Sequence, residues 1–333
     1  MKHTVVFAQQ GIYAGWPANH GSWQWGDEFL VGFLQGAYGK SSMHNVHGPL
    51  TKKLARSLDG GETWRVEDPN VDFEALFSSP APEFSLDRAI IRVCGNYDHG
   101  GDDCPPGGGF YLSSDKGLTW SGAFSFNGLE DEFSKDIGSE SIMNTARTCV
   151  LGDLVFLSSR EQRSWGSDKT ICCVHDGRRF TKIGEIDDPK GRVVMPAAAK
   201  VGSRIVVAAR RRGGYRRECW IDSFCSDDGG RTWKDQGRIS DTGGSNGNPP
   251  ALIEIDGKLV CAFANRSDKQ MQYSVSEDGG DSWSPPVVLR VSHNSDIGYP
   301  RLFKRSDGQI VCVYYWADNR DQHQRIAASI FKI

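Results

Sequence analysis

Five stretches of this sequence bring together residue types able to move protons or hold anions. "AYGKSSMHNVHGP" (37–49) carries His44 and His47. Histidine is the side chain whose charge changes near neutral pH, so a loop holding two is a candidate for proton transfer. "VVAARRRGG" ends an apolar run at Arg210, and "CAFANRSDKQ" ends another at Arg266. Arginine is frequent at solvated strand ends, but two that converge form a planar, charge-assisted grip on an anion. "GYPRL" (298–302) carries Tyr299 just ahead of an apolar segment. "GWPANHGSW" (15–23) holds Trp16 and His20, a stacking wall and either a pocket or a core imidazole. A further loop, "NYDHGGDDCPPGGG" (96–109), holds Asp98, His99, Asp102 and Asp103. Its spacing is not that of an EF-hand, so it reads as a rim loop, and no metal is expected.

What positions these residues is a repeat. "SLDGGETW" (57–64), "SSDKGLTW" (113–120), "SDDGGRTW" (226–233) and "SEDGGDSW" (276–283) are four versions of one peptide. Their aspartates, Asp59, Asp115, Asp228 and Asp278, recur about every fifty to sixty residues, apart from one gap about twice that. A degenerate copy, "VHDGRRF" (174–180) with Asp176, fills the gap. Out of phase with the boxes, six segments open with Pro or a small residue and continue into an apolar run, from "GWPANHG" to "GYPRLFK". Each unit reads strand, turn, strand, loop, strand, box, strand. Four strands in roughly fifty residues make a propeller blade. The expected fold is an all-β, six-bladed propeller, one domain over residues 1–333. The last unit lacks a fourth strand, and "HTVVFA" (3–8) is a strand without a blade, so the N-terminal strand should close the last blade.

Because strand direction alternates, all boxes lie on one face, while first-strand starts and the loops between second and third strands lie on the other. The box is a turn: Ser and Asp bond backbone amides, Gly takes positive φ and Trp packs between sheets. The chemistry therefore belongs opposite the boxes, where His44, His47, Arg210, Arg266 and Tyr299 all fall.

Composition narrows the rest. The net charge of −3 over 333 residues gives no reason to expect a nucleic-acid partner. No apolar run is long enough for a membrane span. The nine cysteines include Cys261 and Cys312 inside apolar runs, as buried thiols rather than a disulfide framework. "MKHTVVFAQQ" has no apolar leader, which implies a cytoplasmic chain, or a secreted one if a leader is removed. Nothing calls for a cofactor, and oligomeric state is not legible.

The boxes are those of the sialidase superfamily, and the chain resembles a sialidase-like propeller along nearly its whole length. The resemblance implies three arginines around a sugar carboxylate, a tyrosine nucleophile paired with a glutamate, and an aspartate as acid/base. "GYPRL" is similar to the segment that carries the tyrosine, which places Tyr299 there. Arg266 and Arg210 resemble the late and middle arginines. The remainder departs from the pattern: Gly15 stands where the first arginine belongs, Met195 where the glutamate does, and the acid/base loop carries His44 and His47 but no carboxylate. The resemblance thus implies an exo-acting glycoside hydrolase on an acidic or modified sugar, and a poor sialidase. Tyr299 is the nucleophile or proton shuttle. His47, nearer the strand that returns to the box, is preferred over His44 as acid/base, and Arg210 with Arg266 is the clamp. His20 and Trp16 line the pocket. A polysaccharide lyase acting on uronates and a glycan-binding propeller without catalysis are the alternatives.

Overall fold

Consecutive strands pair antiparallel, and six sheets result (a computed structural model). The structure describes residues 1–41, 44–72, 81–94, 108–133, 142–144, 149–161, 168–189, 191–213, 218–244, 246–319 and 322–333. The fourth and fifth blades follow the sequence unit strand by strand: Val194–Val201, Arg204–Arg212, Cys219–Ser226 and Lys234–Asp241, then Ala251–Ile255, Lys258–Asn265, Gln270–Ser276 and Val287–Val291. The sixth blade runs Gly298–Lys304, Ile310–Trp316 and Arg325–Phe331, and its outer strand is the N-terminal Lys2–Phe7. The expected ring closure is therefore present, with Val5 opposite Ala327.

The middle strands are apolar on both faces because both are covered. In Arg204–Arg212, Ile205, Val207 and Ala209 pack toward the third blade, while Val206 and Ala208 pack toward the fifth. Five of the six core clusters found among the described residues lie between two neighbouring blades; the sixth, which holds Phe29 against Phe303 between the first and sixth blades, also takes in Val194 and Met195 of the fourth.

The boxes behave as carpentry. Ser57 Oγ bonds Asp59 at 2.8 Å and accepts from the Gly61 amide at 2.8 Å. Asp59 accepts from the Thr63 amide at 2.9 Å and hydroxyl at 2.6 Å, and Trp64 Nε1 donates to the Gly61 carbonyl at 3.0 Å. Boxes 113–120 and 226–233 repeat this set. The second glycine is required twice over. At Gly230 φ is 93°, and a Cβ there would stand 2.8 Å from Cys172 Sγ of the preceding blade. In the degenerate box Asp176 still caps the turn, accepting from the Arg178 and Arg179 amides at 2.9 and 2.8 Å, with Phe180 in place of tryptophan.

The second blade departs from the expected unit. The repeat calls for a first strand at the start of "PEFSLDRAIIRVCG", yet residues 81–89 form no strand, with a turn at 86–88, and the described sheet starts at Ile90–Cys94. Ser85 and Asp87 bond each other at 2.8 Å, and the Ala89 amide donates to the Ser85 carbonyl at 2.9 Å. Such local bonding competes with a strand ladder, and Pro82 adds a missing donor. The blade gains instead an outer strand, Asn70–Asp72, parallel to Thr119–Ser125.

No helix among the described residues is long and apolar enough to cross a membrane. A cavity of about 540 Å³ runs along the axis between the inner strands, from Arg301 to Ser113 and Lys116 of a box. Tyr299 does not line it.

Candidate active site

The same irregularity occurs within two inner strands and directly after Ile12–Gly15 of the first blade. Trp16, Met195 and Tyr299 each precede a proline and each has positive φ (56°, 57° and 54°). Bulky residues rarely adopt this region, at a cost of about 1–3 kcal/mol, and such strain gathers at functional sites. Neighbouring blades hold it in place. The Met195 amide donates to Ser158 Oγ at 2.8 Å, and the Tyr299 amide to Asn248 Oδ1 at 2.9 Å. Asn248 also donates to the Ile297 carbonyl at 3.1 Å, and so clamps both sides of residue 298. Residue 298 is glycine because a Cβ would stand 2.3 Å from that amide. The three αL side chains join one core cluster with Tyr13 and Tyr315.

Tyr299, Arg210 and Arg266 come together at this end of the axis. The Arg266 guanidinium lies 5.7 Å from the centre of the Tyr299 ring. Tyr299 meets Tyr315 edge-on at 5.9 Å. Arg210 feels the charges of Tyr299, Arg192 and Arg266. The box face is far off: Arg305, beyond the other end of the same strand, donates to the Gly60 carbonyl at 3.2 Å and to Glu62 of the first box at 2.8 Å. Six residues of strand span roughly 20 Å.

The two arginines are not equivalent. Arg266 donates to the Tyr315 hydroxyl at 2.5 Å and the Ile297 carbonyl at 3.3 Å, and stands 3.8 Å from the Asp296 carboxylate. Burial opposes its charge, but Tyr315, Tyr299 and Asp296 outweigh burial and raise its pKa. Arg210 is as buried, yet its acceptors are neutral: Met195 Sδ at 3.1 Å and the Asn246 carbonyl. Burial lowers its pKa, and Arg192 and Arg266 lower it further. Among the described residues no carboxylate compensates Arg210. The nearby Arg192 is paired with Asp168.

Among the described residues, Asp296 is the carboxylate that hydrogen bonds draw into this cluster. Oδ1 accepts from Tyr315 at 2.6 Å and bonds His44 Nδ1 at 2.9 Å. Oδ2 accepts from Tyr13 at 3.1 Å and Gln324 at 3.2 Å. Burial alone would raise its pKa, but the His44 bond and charge, Arg266 and the Tyr315 bond hold it below the usual carboxylate range. Burial, with the Asp296 charge beside them, keeps Tyr13 and Tyr315 protonated far above neutral pH. The signal in the sequence was position: Asp296 lies three residues before Tyr299, in a loop on the same face.

The two histidines are placed differently. The third strand of the first blade, Val46–Ser57, begins earlier than the loop reading allowed, and His47 pairs with Ala37 as a strand residue. It is exposed, bonds the Lys40 carbonyl at 3.1 Å and lies over Gly39. His44, in the loop, reaches Asp296 and stands edge-on to Trp16 at 5.0 Å. His20 is buried inside the first blade, with its main chain against Gly32, which has no Cβ to obstruct it. Trp16 is buried against Tyr13 and is part of the wall beneath His44 rather than an open stacking platform. Gly15 could not carry a guanidinium here: a Cβ on it would stand 2.7 Å from the Tyr13 ring. Asp98, His99, Asp102 and Asp103 lie outside the described residues.

The family model described as a BNR repeat-like domain matches residues 101–312. No curated protein matches the sequence. Among solved structures, the chain is similar to a protein of unknown function from Dyadobacter fermentans, with a TM-score of 0.70 and 16% identity, covering 99% of this chain and 98% of that one. It is also similar to a Hadza microbial sialidase (0.61, 13%, covering 96% and 66%) and to an α-L-arabinanase of Penicillium chrysogenum complexed with arabinobiose (0.58, 13%, covering 100% and 98%). Identities this low establish the shared propeller alone.

Proposed function

Since this chain belongs to the BNR repeat-like domain family, we propose that it is a carbohydrate-active enzyme, an exo-acting glycoside hydrolase that takes a sugar bearing an anionic or otherwise modified group. The observation that carries the reading is Arg210: a buried guanidinium without a carboxylate partner among the described residues, beside the strained Tyr299. A site that keeps such a charge is built for an anion that arrives from outside. Tyr299 serves as nucleophile or proton shuttle, with His44 in the acid/base role first given to His47. Arg210 is the principal arm of the clamp, and Arg266, already facing Asp296, the weaker one. Neighbours on this fold with sialidase and arabinanase in their descriptions support a sugar substrate. Sialic acid itself is a poor candidate, because Tyr13 fills the place of the third arginine.

Elimination is the second reading. Paired-carboxylate hydrolysis needs two carboxyl groups about 5–9.5 Å apart. The hydrogen bonds described around Tyr299 bring in one, Asp296, and it is taken up by His44 and two tyrosines. Tyrosine, histidine and arginine suffice to move a proton from a uronate and neutralise its charge.

The test is a panel of sialosides, uronides and neutral furanosides and pyranosides, with products identified by mass. Hydrolysis adds one water; elimination gives an unsaturated product that absorbs in the near ultraviolet. For the ligand turned over, Arg210→Ala should weaken binding roughly ten- to a hundredfold. Binding without turnover by any member would reduce the protein to a lectin-like propeller, and unchanged affinity in Arg210→Ala would remove the clamp.

A further inference from the structure

Asp296 and His44 lie far apart in the chain and meet inside the site, in a geometry that fixes more than a contact. The nitrogen facing the carboxylate is Nδ1, at 2.9 Å. With Asp296 ionised, that nitrogen carries a proton, so exchange with a ligand runs through Nε2. Asp296 has little freedom to do otherwise. Tyr315, from the second strand of the sixth blade, and Tyr13, from the first strand of the first, occupy its remaining lone pairs, together with Gln324. Arg266 donates to the same Tyr315 hydroxyl and balances the charge from 3.8 Å. Trp16 sets the plane of the His44 ring from its edge. Every charged or titratable group described around the carboxylate thus favours its ionised form, apart from burial itself.

We infer that His44 and Asp296 form a proton-transfer dyad, with His44 exchanging the proton through Nε2 and Asp296 acting as the positioning residue that holds the ring through Nδ1. The inference rests on the glycoside hydrolase reading above. In hydrolysis the O–H bond of the attacking water breaks and Nε2 takes the proton, while the water oxygen bonds the anomeric carbon and, in the same step, the bond from that carbon to the glycosidic oxygen breaks. The imidazolium, steadied by Asp296, then returns the proton to the departing oxygen. The ring ends as it began, and no outside oxidant or reductant is needed. This arrangement supplies proton transfer without the carboxylate that the loop at 37–49 lacks.

Two readouts judge it separately. Long-range nitrogen–proton spectra of the labelled protein should show His44 protonated on Nδ1 at neutral pH, and a mixture of tautomers in Asp296→Asn. On whichever glycoside the wild type turns over, Asp296→Asn and His44→Gln should each lower kcat about 10²–10⁴-fold with little change in KM, and the double variant should lose no more than the worse single. If Asp296→Asn does not fold, His44→Gln, which leaves the carboxylate and its tyrosines intact, decides alone. A proton on Nε2 in the wild type, or normal turnover by His44→Gln, overturns the dyad. Spectra as expected with no wild-type turnover of any glycoside would instead sink the hydrolase reading and the proton-transfer role with it.

Discussion

The two faces of this propeller use aspartate in opposite ways. On the box face Asp59, Asp115, Asp228 and Asp278 sit near solvent, and each is satisfied by residues of its own eight-residue turn. The device is local, and its aspartate bonds recur in each copy. On the other face Asp296 is buried, and its partners come from the first blade, the sixth and the loop at His44. A repeated carboxylate organises the chain; a unique one organises a site. Toward the same end of the axis, Arg210 has no carboxylate partner among the described residues.

The largest effect should come from emptying the buried carboxylate. Asp296→Ala leaves His44 and the two tyrosine hydroxyls without their acceptor and Arg266 without its counter-charge, and should cost about 3–5 kcal/mol in equilibrium denaturation. A loss below 1 kcal/mol would place Asp296 on a par with the box residues. Next is the staple between blades: Gly230→Ala forces a Cβ onto Cys172 at positive φ and should cost about 3 kcal/mol, with no change in ligand affinity. Third, and opposite in sign, Arg210→Met should stabilise the fold by about 1–3 kcal/mol while abolishing anion binding. A destabilised Arg210→Met would show that the guanidinium is structural.

The smallest effect separates the faces by pH. Hydrogen bonds from Ser282 hold Asp278 at a pKa of about 2, below its ordinary 3.8, with burial opposing. A depressed carboxylate contributes stability above its unfolded pKa and loses it as pH falls through the folded one. The wild type's advantage over Asp278→Asn should therefore be complete above about pH 4 and fade toward pH 2. Denaturant midpoints at pH 6, 4 and 2.5 measure it, and a constant difference across the series would refute the linkage.

The architecture was legible because its signal is repetitive: four near-copies fix the period, and the period exposes both the degenerate copy at Asp176 and the orphan strand at Lys2–Phe7. Where the chain broke its own pattern, reading failed. The Ser85–Asp87 turn replaces a strand the repeat called for. That Tyr299, Arg210 and Arg266 come together was legible because they sit at strand ends whose face is set by alternation. Asp296 escaped because a loop aspartate is ordinarily solvated, and its burial depends on tyrosines that approach from strands far away in sequence. Which of His44 and His47 meets Asp296 was not legible, because a one- or two-residue shift in a strand start decides which histidine faces inward.

The pairing of Val5 with Ala327 has a consequence in time. A ribosome delivers the first strand long before the third strand of the sixth blade exists, so Lys2–Phe7 must wait, unpaired, through the synthesis of every other blade. During that wait the early blades can form their own hairpins and boxes, which are local. Asp296, Tyr315 and the proline-linked Tyr299 come from the same late segment as Arg325–Phe331, the strand that Lys2–Phe7 waits to join. The Asp296 end of the molecule and the clasp of the ring are therefore finished in one step, after every other blade has been made.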